Sequence, residues 1–191
     1  MVGECNDGFL NDIVGGHINK SHVLNTIGEA SETEFFEGVV GAGVGMTEFG
    51  WKGGIGTSSR IEQTQYDKSI TDQGEFTIRC LSLTNTGDAR DLRFDGISIG
   101  RHIVPPGYED EKNSANWIGG DPLKGIFENK PIELPGSIMI VITTVAPLSS
   151  RKLNRVAKRA GLGLGLAGGI ATHISGDFII AFQNINTIKI N

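Results

Sequence analysis

The sequence holds no uninterrupted apolar run of ~20 residues, so no membrane-spanning helix is expected. Cysteine is scarce. Cys5 and Cys80 do not form a CxxC pair, and the histidines are scattered at 17, 22, 102 and 173. That spacing supports neither a disulfide framework nor a structural zinc site, and no cofactor is expected. Basic residues are outnumbered 17 to 22 by acidic ones, and the net charge of −5 argues against a nucleic-acid partner. The opening "MVGECNDGFLND" has neither the basic start nor the apolar centre of a signal peptide. Two free thiols in a reducing, cytoplasmic setting are the expectation. Proline is also sparse outside one stretch, because residues 104–136 hold five of the six. With its polar runs, that stretch is expected to be a loop or insertion within one domain spanning 1–191.

Glycine is what the chain has in excess: its 28 glycines are about twice the usual share of ~7%. They cluster in "GVVGAGVGM", "FGWKGGIGTSS" and "AGLGLGLAGG" without a three-residue period. Such clusters mark places where backbone turns with positive φ or approaches another group closely.

Elements alternate without strict βαβ order. "SHVLNTIGEASE" predicts a short helix capped at Ser21, with Val23, Leu24 and Ile27 on one face. "GEFTIRCLSLTNTG" alternates apolar and polar residues for the most part, with a slip near Cys80, and reads as a half-buried strand. In "DLRFDGISIG" the Asp95-Gly96 pair signals a hairpin. "SIMIVITTVAPL" reads as a strand buried on both faces. "SSRKLNRVAKRAGLG" predicts an amphipathic helix capped by Ser149 or Ser150 and ended by Gly161, with Leu153, Val156, Ala157 and Ala160 inward. Its basic face is read as solvated surface. "SGDFIIAFQNINTIKI" gives a strand, a turn and a second strand start. The fold class is α+β, a layered arrangement.

Two chemistries are weak on pattern. "GLGLAG" fits GxGxxG by letter, but a dinucleotide loop must leave a strand and enter a helix, and these glycines follow a helix. His173 lies two residues from Ser175, a spacing that rarely yields a nucleophile–base hydrogen bond. A third chemistry needs no histidine. A serine that becomes a chain N-terminus can use its own α-amine, with pKa near ~8, as base. Ser175, between a glycine-rich run and an apolar strand, is placed for that.

Four blocks carry a resemblance: "VGECNDGFLNDI", "EGVVGAGVGMTEFGWKGGIGTSSR", "PGSIMIVITTVAPLSSRKLNRVAKRAGLGLGLAGG" and "SGDFIIAF". In this order they resemble the L-aminopeptidase/D-esterase and β-aminopeptidase family, the DmpA-like self-processing serine hydrolases, from about Val2 to Phe182. The resemblance implies an αββα sandwich, self-cleavage into two chains, and hydrolysis of amides or esters bearing a free amino terminus. It implies Ser175 as nucleophile, with cleavage between Ile174 and Ser175. It also implies Glu4 as partner of the substrate's ammonium group, and Asn6 as a substrate-facing or oxyanion donor. Gly41, Gly43, Gly53, Gly54 and Gly56 match backbone positions near the site, where Lys52 and Arg60 either orient carboxylates or form structural ion pairs.

Two positions depart from the pattern. Ile174 stands where a small or polar residue is usual, and a β-branched residue resists unusual φ/ψ. Val145 replaces a polar oxyanion residue, which leaves the neighbouring Thr144 as the substitute. The resemblance covers only the middle of the family's enzymes. A homo-oligomer or a complementing chain is therefore expected, with a non-catalytic oligomerising scaffold and a self-processing acyltransferase as the alternatives.

Overall fold

The computed structural model describes residues 3–31, 35–63, 75–103, 105, 136–171 and 175–184. Most of the proline-rich 104–136 stretch, the turn expected after "SGDFIIAF", His173 and Ile174 lie outside them. Among the described residues there are two α-helices, α1 (Lys20–Gly28) and α2 (Ser150–Ala167). A four-stranded sheet comprises β3 (Ile55–Gln63), β4 (Glu75–Asn85), β5 (Ser137–Thr144) and β6 (Gly176–Gln183), in that spatial order. Two-residue strands β1 (Thr47–Glu48) and β2 (Trp51–Lys52) make a separate hairpin. β3, β4 and β5 pair antiparallel, whereas β5 and β6 run parallel because α2 carries the chain back between them. The fold is α+β.

The core lies between the sheet and α2. Ile138, Ile140 and Ile142 are buried, and Ile78, Cys80, Val156, Ala160, Leu164, Ile179 and Ala181 pack against them. Alternation along β5 therefore buries one face only, and the expectation of a strand buried on both faces is corrected. Met139 lies beside Leu83 and Phe178, and Thr143 beside Phe182, on the opposite face; Phe178 and Phe182 are exposed there. A single helix layer on a single sheet is half of an αββα stack.

Three local expectations shift. α1 is capped by Asn19, not Ser21: the Asn19 side chain accepts from the Ser21 amide, and His22 Nδ1 accepts from the Asn19 amide. Asp95 and Gly96 do make the tight turn, both with positive φ, but close only one bridge, Phe94 to Ile97. α2 runs through Gly161 to Gly168, whose φ of 104° ends it. Tertiary contacts outweigh the roughly 1 kcal/mol that each interior glycine costs. Leu164 joins the isoleucine core, and the Arg93 amide donates to the terminal Ala167 carbonyl. Gly163 and Gly165 of "GLGLAG" are thus helical and Gly168 is the cap that ends the helix, so the run forms no phosphate loop.

Candidate active site

The site is built at one end of the sheet, where three strand ends align. Asn85 closes β4, Ser137 opens β5 and Gly176 opens β6, side by side in register. Ser175 stands immediately before this row and Gly136 beside it. The Gly176 amide donates to the Gly136 carbonyl at 3.0 Å, which pins the start of β6 against the residue preceding β5. The half-buried Ser175 Oγ lies 2.9 Å from the Gly136 carbonyl oxygen and 2.8 Å from Asp177 Oδ1. A hydroxyl has one proton, so these two acceptors compete for it.

The N-terminal segment folds across the same end. Asn85 Nδ2 donates to the Asn6 carbonyl at 2.8 Å, and Asn85 Oδ1 accepts from the Thr47 amide at 3.0 Å. Buried Asn85 therefore ties this segment to the β1–β2 hairpin. Within the segment, Asn6 Oδ1 accepts from the Gly8 amide. Burial pushes the Cys5 thiol up to about 11, with further pressure from the charges of Asp177, Glu4 and Glu48. Those three carboxylates consequently share one neighbourhood with Cys5, and the thiol is protonated at neutral pH. It is no nucleophile. Glu4 and Asn6 are both exposed at this end.

Glu48 supports the site from below. Burial pushes its carboxyl up to about 7, against hydrogen bonds from the Thr86 amide and the Thr84 hydroxyl that favour the ionised form. Its Oε2 accepts from the Thr86 amide at 3.0 Å, while the Thr86 carbonyl accepts from the Phe49 amide at 2.8 Å. Thr86 in turn packs so closely on Gly136 that a Cβ there would collide with its hydroxyl. A line of contacts therefore runs from Glu48 through Thr86 and Gly136 to Ser175.

The remaining predicted residues lie elsewhere. Among the described residues Lys52 orients no carboxylate. Its Nζ donates to the carbonyls of Gly43, Met46 and Gly53, at 2.7, 2.9 and 2.8 Å, and desolvation lowers its pKa. It ties down the glycine block, where Gly43 and Gly54 both press on the Gly38 carbonyl and leave no room for a Cβ. Arg60 is exposed on β3. Thr144 closes the far end of β5, paired with Gln183, seven residues from Ser137 and so about 23 Å away at ~3.3 Å per residue. Its hydroxyl donates to the Thr77 carbonyl at 2.9 Å and accepts from the Ala146 amide at 3.0 Å. The structure does not bring Thr144 to Ser175, and the oxyanion expectation is corrected on that ground.

Asp177, Glu48 and Asn85 are the residues that sequence reasoning missed. Asp177 had a signal: residues two apart on an extended segment face the same way. That spacing was weighed for His173 on one side of Ser175 and applies equally on the other. Among the described residues, no group of three or more His, Cys, Asp or Glu side chains could hold a metal ion. No helix there is long and apolar enough to cross a membrane.

A family model described as peptidase family S58 matches residues 1–191. Beta-peptidyl aminopeptidase BapA of Sphingosinicella xenopeptidilytica is 36% identical over 190 residues, which are 100% of this chain and 43% of that protein. A solved structure from Pyrococcus horikoshii OT3 is similar with TM-score 0.72 and 40% identity, covering 97% of this chain and 43% of the other. The L-aminopeptidase D-Ala-esterase/amidase of Ochrobactrum anthropi is described as a prototype of the serine aminopeptidases and a variant of the Ntn hydrolase fold. It is similar with TM-score 0.68 and 31% identity, over 93% of this chain and 40% of that one. The chain spans less than half the length of these relatives.

Proposed function

This chain belongs to peptidase family S58, and we propose that it carries the nucleophile of a self-processing aminopeptidase or amidase acting on amides or esters with a free amino terminus. The observation that carries this reading is the placement of Ser175. Its hydroxyl is half-buried at the mouth of β6, next to a carboxylate, at the sheet end where Glu4 and Asn6 are exposed. After cleavage between Ile174 and Ser175, the freed α-amine is the base. It takes the Oγ proton, Oγ attacks the substrate carbonyl, and an acyl-enzyme forms that water hydrolyses. Glu4 pairs with the substrate's ammonium group, a charge-assisted contact that selects free amino termini. Asn6 donates to the substrate or to the developing oxyanion.

The open face of the sheet supports a covering layer, supplied by further residues of the same protein or by another copy. Phe178 and Phe182 stand exposed on it, and Val23, Leu24 and Ile27 of α1 are exposed as well. A surface of that kind in a folded protein is ordinarily covered. The free, half-buried thiols Cys5 and Cys80 support a reducing, cytoplasmic setting.

The test is hydrolysis of α- and β-aminoacyl p-nitroanilides by the whole protein, with N-acetylated substrates as control. Turnover that disappears on acetylation, and whose KM rises in Glu4→Gln, is the expected result. Turnover that ignores acetylation overturns the free-amine reading.

A further inference from the structure

The unbroken chain poses a problem that the finished enzyme does not. Once Ser175 is a chain terminus, its α-amine can accept the Oγ proton. Before cleavage that same nitrogen belongs to a peptide bond, where resonance with the carbonyl removes its basicity. The first proton must go to some other group.

We propose that Asp177 is the base that starts cleavage at Ser175, an inference that rests on the self-processing reading above. Asp177 Oδ1 is 2.8 Å from Ser175 Oγ, against 2.9 Å for the Gly136 carbonyl. Of the two acceptors, only the carboxylate can take the proton and hold it, because a charge-assisted acceptor is the stronger and a carbonyl is not a base near neutrality. The Gly136 carbonyl is also engaged by the Gly176 amide. Asp177 lies within β6, directly opposite Ile138. The acid is therefore held by the sheet ladder and not by a loop, as a positioned base requires. Among the described residues no other titratable group, Glu4 included, is hydrogen-bonded to the Ser175 hydroxyl. Glu48 Oε2 is committed to the Thr86 amide, and the Cys5 thiol keeps its proton.

The step balances with one water. Asp177 takes the Oγ proton as Oγ bonds to the carbonyl carbon of residue 174. The bond from that carbon to the Ser175 nitrogen breaks, and the nitrogen receives the proton back from Asp177. An ester now joins residue 174 to Oγ. Water adds to it and the ester C–O bond breaks, leaving a carboxylate on residue 174 and a free hydroxyl and amine on Ser175. From then on the amine replaces Asp177 as base.

The experiment follows cleavage of the purified whole protein over time by intact mass, in the native sequence and in Asp177→Asn and Asp177→Ala. Asp177→Asn keeps an acceptor oxygen for the Ser175 hydroxyl and loses the basicity. It should slow cleavage by about 100-fold or more, within the range a general base contributes, with the melting temperature retained. Asp177→Ala should be equally slow, and sodium formate should restore its cleavage in proportion to concentration while sodium chloride does not. Cleavage of Asp177→Asn at the native rate overturns the role of Asp177 and leaves self-processing standing. So does a well-folded Asp177→Ala that formate cannot restore. A native protein that never cleaves overturns the self-processing reading itself, and this inference with it.

Discussion

Two hydroxyls stand at opposite ends of the same parallel strand pair, and the structure treats them in opposite ways. Thr144, at the end of β5, is only 4% exposed; its proton goes to the Thr77 carbonyl and its oxygen accepts the Ala146 amide. Every bond it makes closes a strand end. Ser175, at the entrance to β6, is half-buried, and its proton lies between a carbonyl and a carboxylate. The first hydroxyl is saturated by backbone and the second faces a carboxylate. The partners at each sheet end, not the residue type, decide which oxygen can react.

The comparison breaks most visibly at Ser175. Replacing it by alanine should cut turnover by at least about 10³-fold, the scale on which loss of a nucleophile acts. Assay with an aminoacyl p-nitroanilide checks this; residual turnover near the native level would place the nucleophile elsewhere. Gly136→Ala comes next. The added methyl meets the Thr86 hydroxyl and displaces the carbonyl that faces Ser175. Displacements of ~1 Å cost about 10²-fold, so kcat should fall by that order, with KM little changed.

Glu48 sharpens the comparison through pH. Its pKa is raised from 4.5 to about 7 in the folded protein, so between those values the folded state holds a proton that the unfolded state releases. Its contribution therefore falls as pH rises through that window, by an amount on the order of 2–3 kcal/mol. Glu48→Gln should flatten that part of the stability profile in urea melts from pH 4.5 to 8. An unchanged slope would show that Glu48 does not titrate there. The smallest effect belongs to the other end. Thr144→Val leaves the buried Ala146 amide without its acceptor, which costs about 1–3 kcal/mol, and turnover should stay within about twofold of native. A larger loss of kcat would return Thr144 to the chemistry.

Much of the fold was legible because local pattern and packing agree. α2 shows its period plainly: Leu153, Val156, Ala157 and Ala160 are half-buried between exposed neighbours, as their spacing requires. Where pattern failed, a distant contact had overruled it. Gly161 reads as a helix stop, yet Leu164 is held by the isoleucine core and the Arg93 amide caps Ala167. β5 reads as doubly buried because its sequence is apolar without a break from Ile138 to Ile142, and its open face becomes intelligible once the chain is seen to span 43% of its relative's length. In the site, the setting of Ser175 between turn and strand did not by itself single it out; the family resemblance did. Asp177 was legible in principle, from a two-residue spacing. Glu48 and Asn85 were not, because their roles depend on a register between segments some forty residues apart. The Thr144 expectation failed for a related reason: position near a motif says nothing about which end of a strand a side chain occupies.

The claim on which the rest depends is that the chain parts immediately before Ser175 and frees its amine. Intact-mass measurement on the whole protein, freshly purified and after incubation, set beside Ser175→Ala, tests it directly. The account predicts two fragments whose junction lies between Ile174 and Ser175 in the native protein, and one undivided mass in the variant. A single mass in both, or the same fragments from the variant, contradicts it.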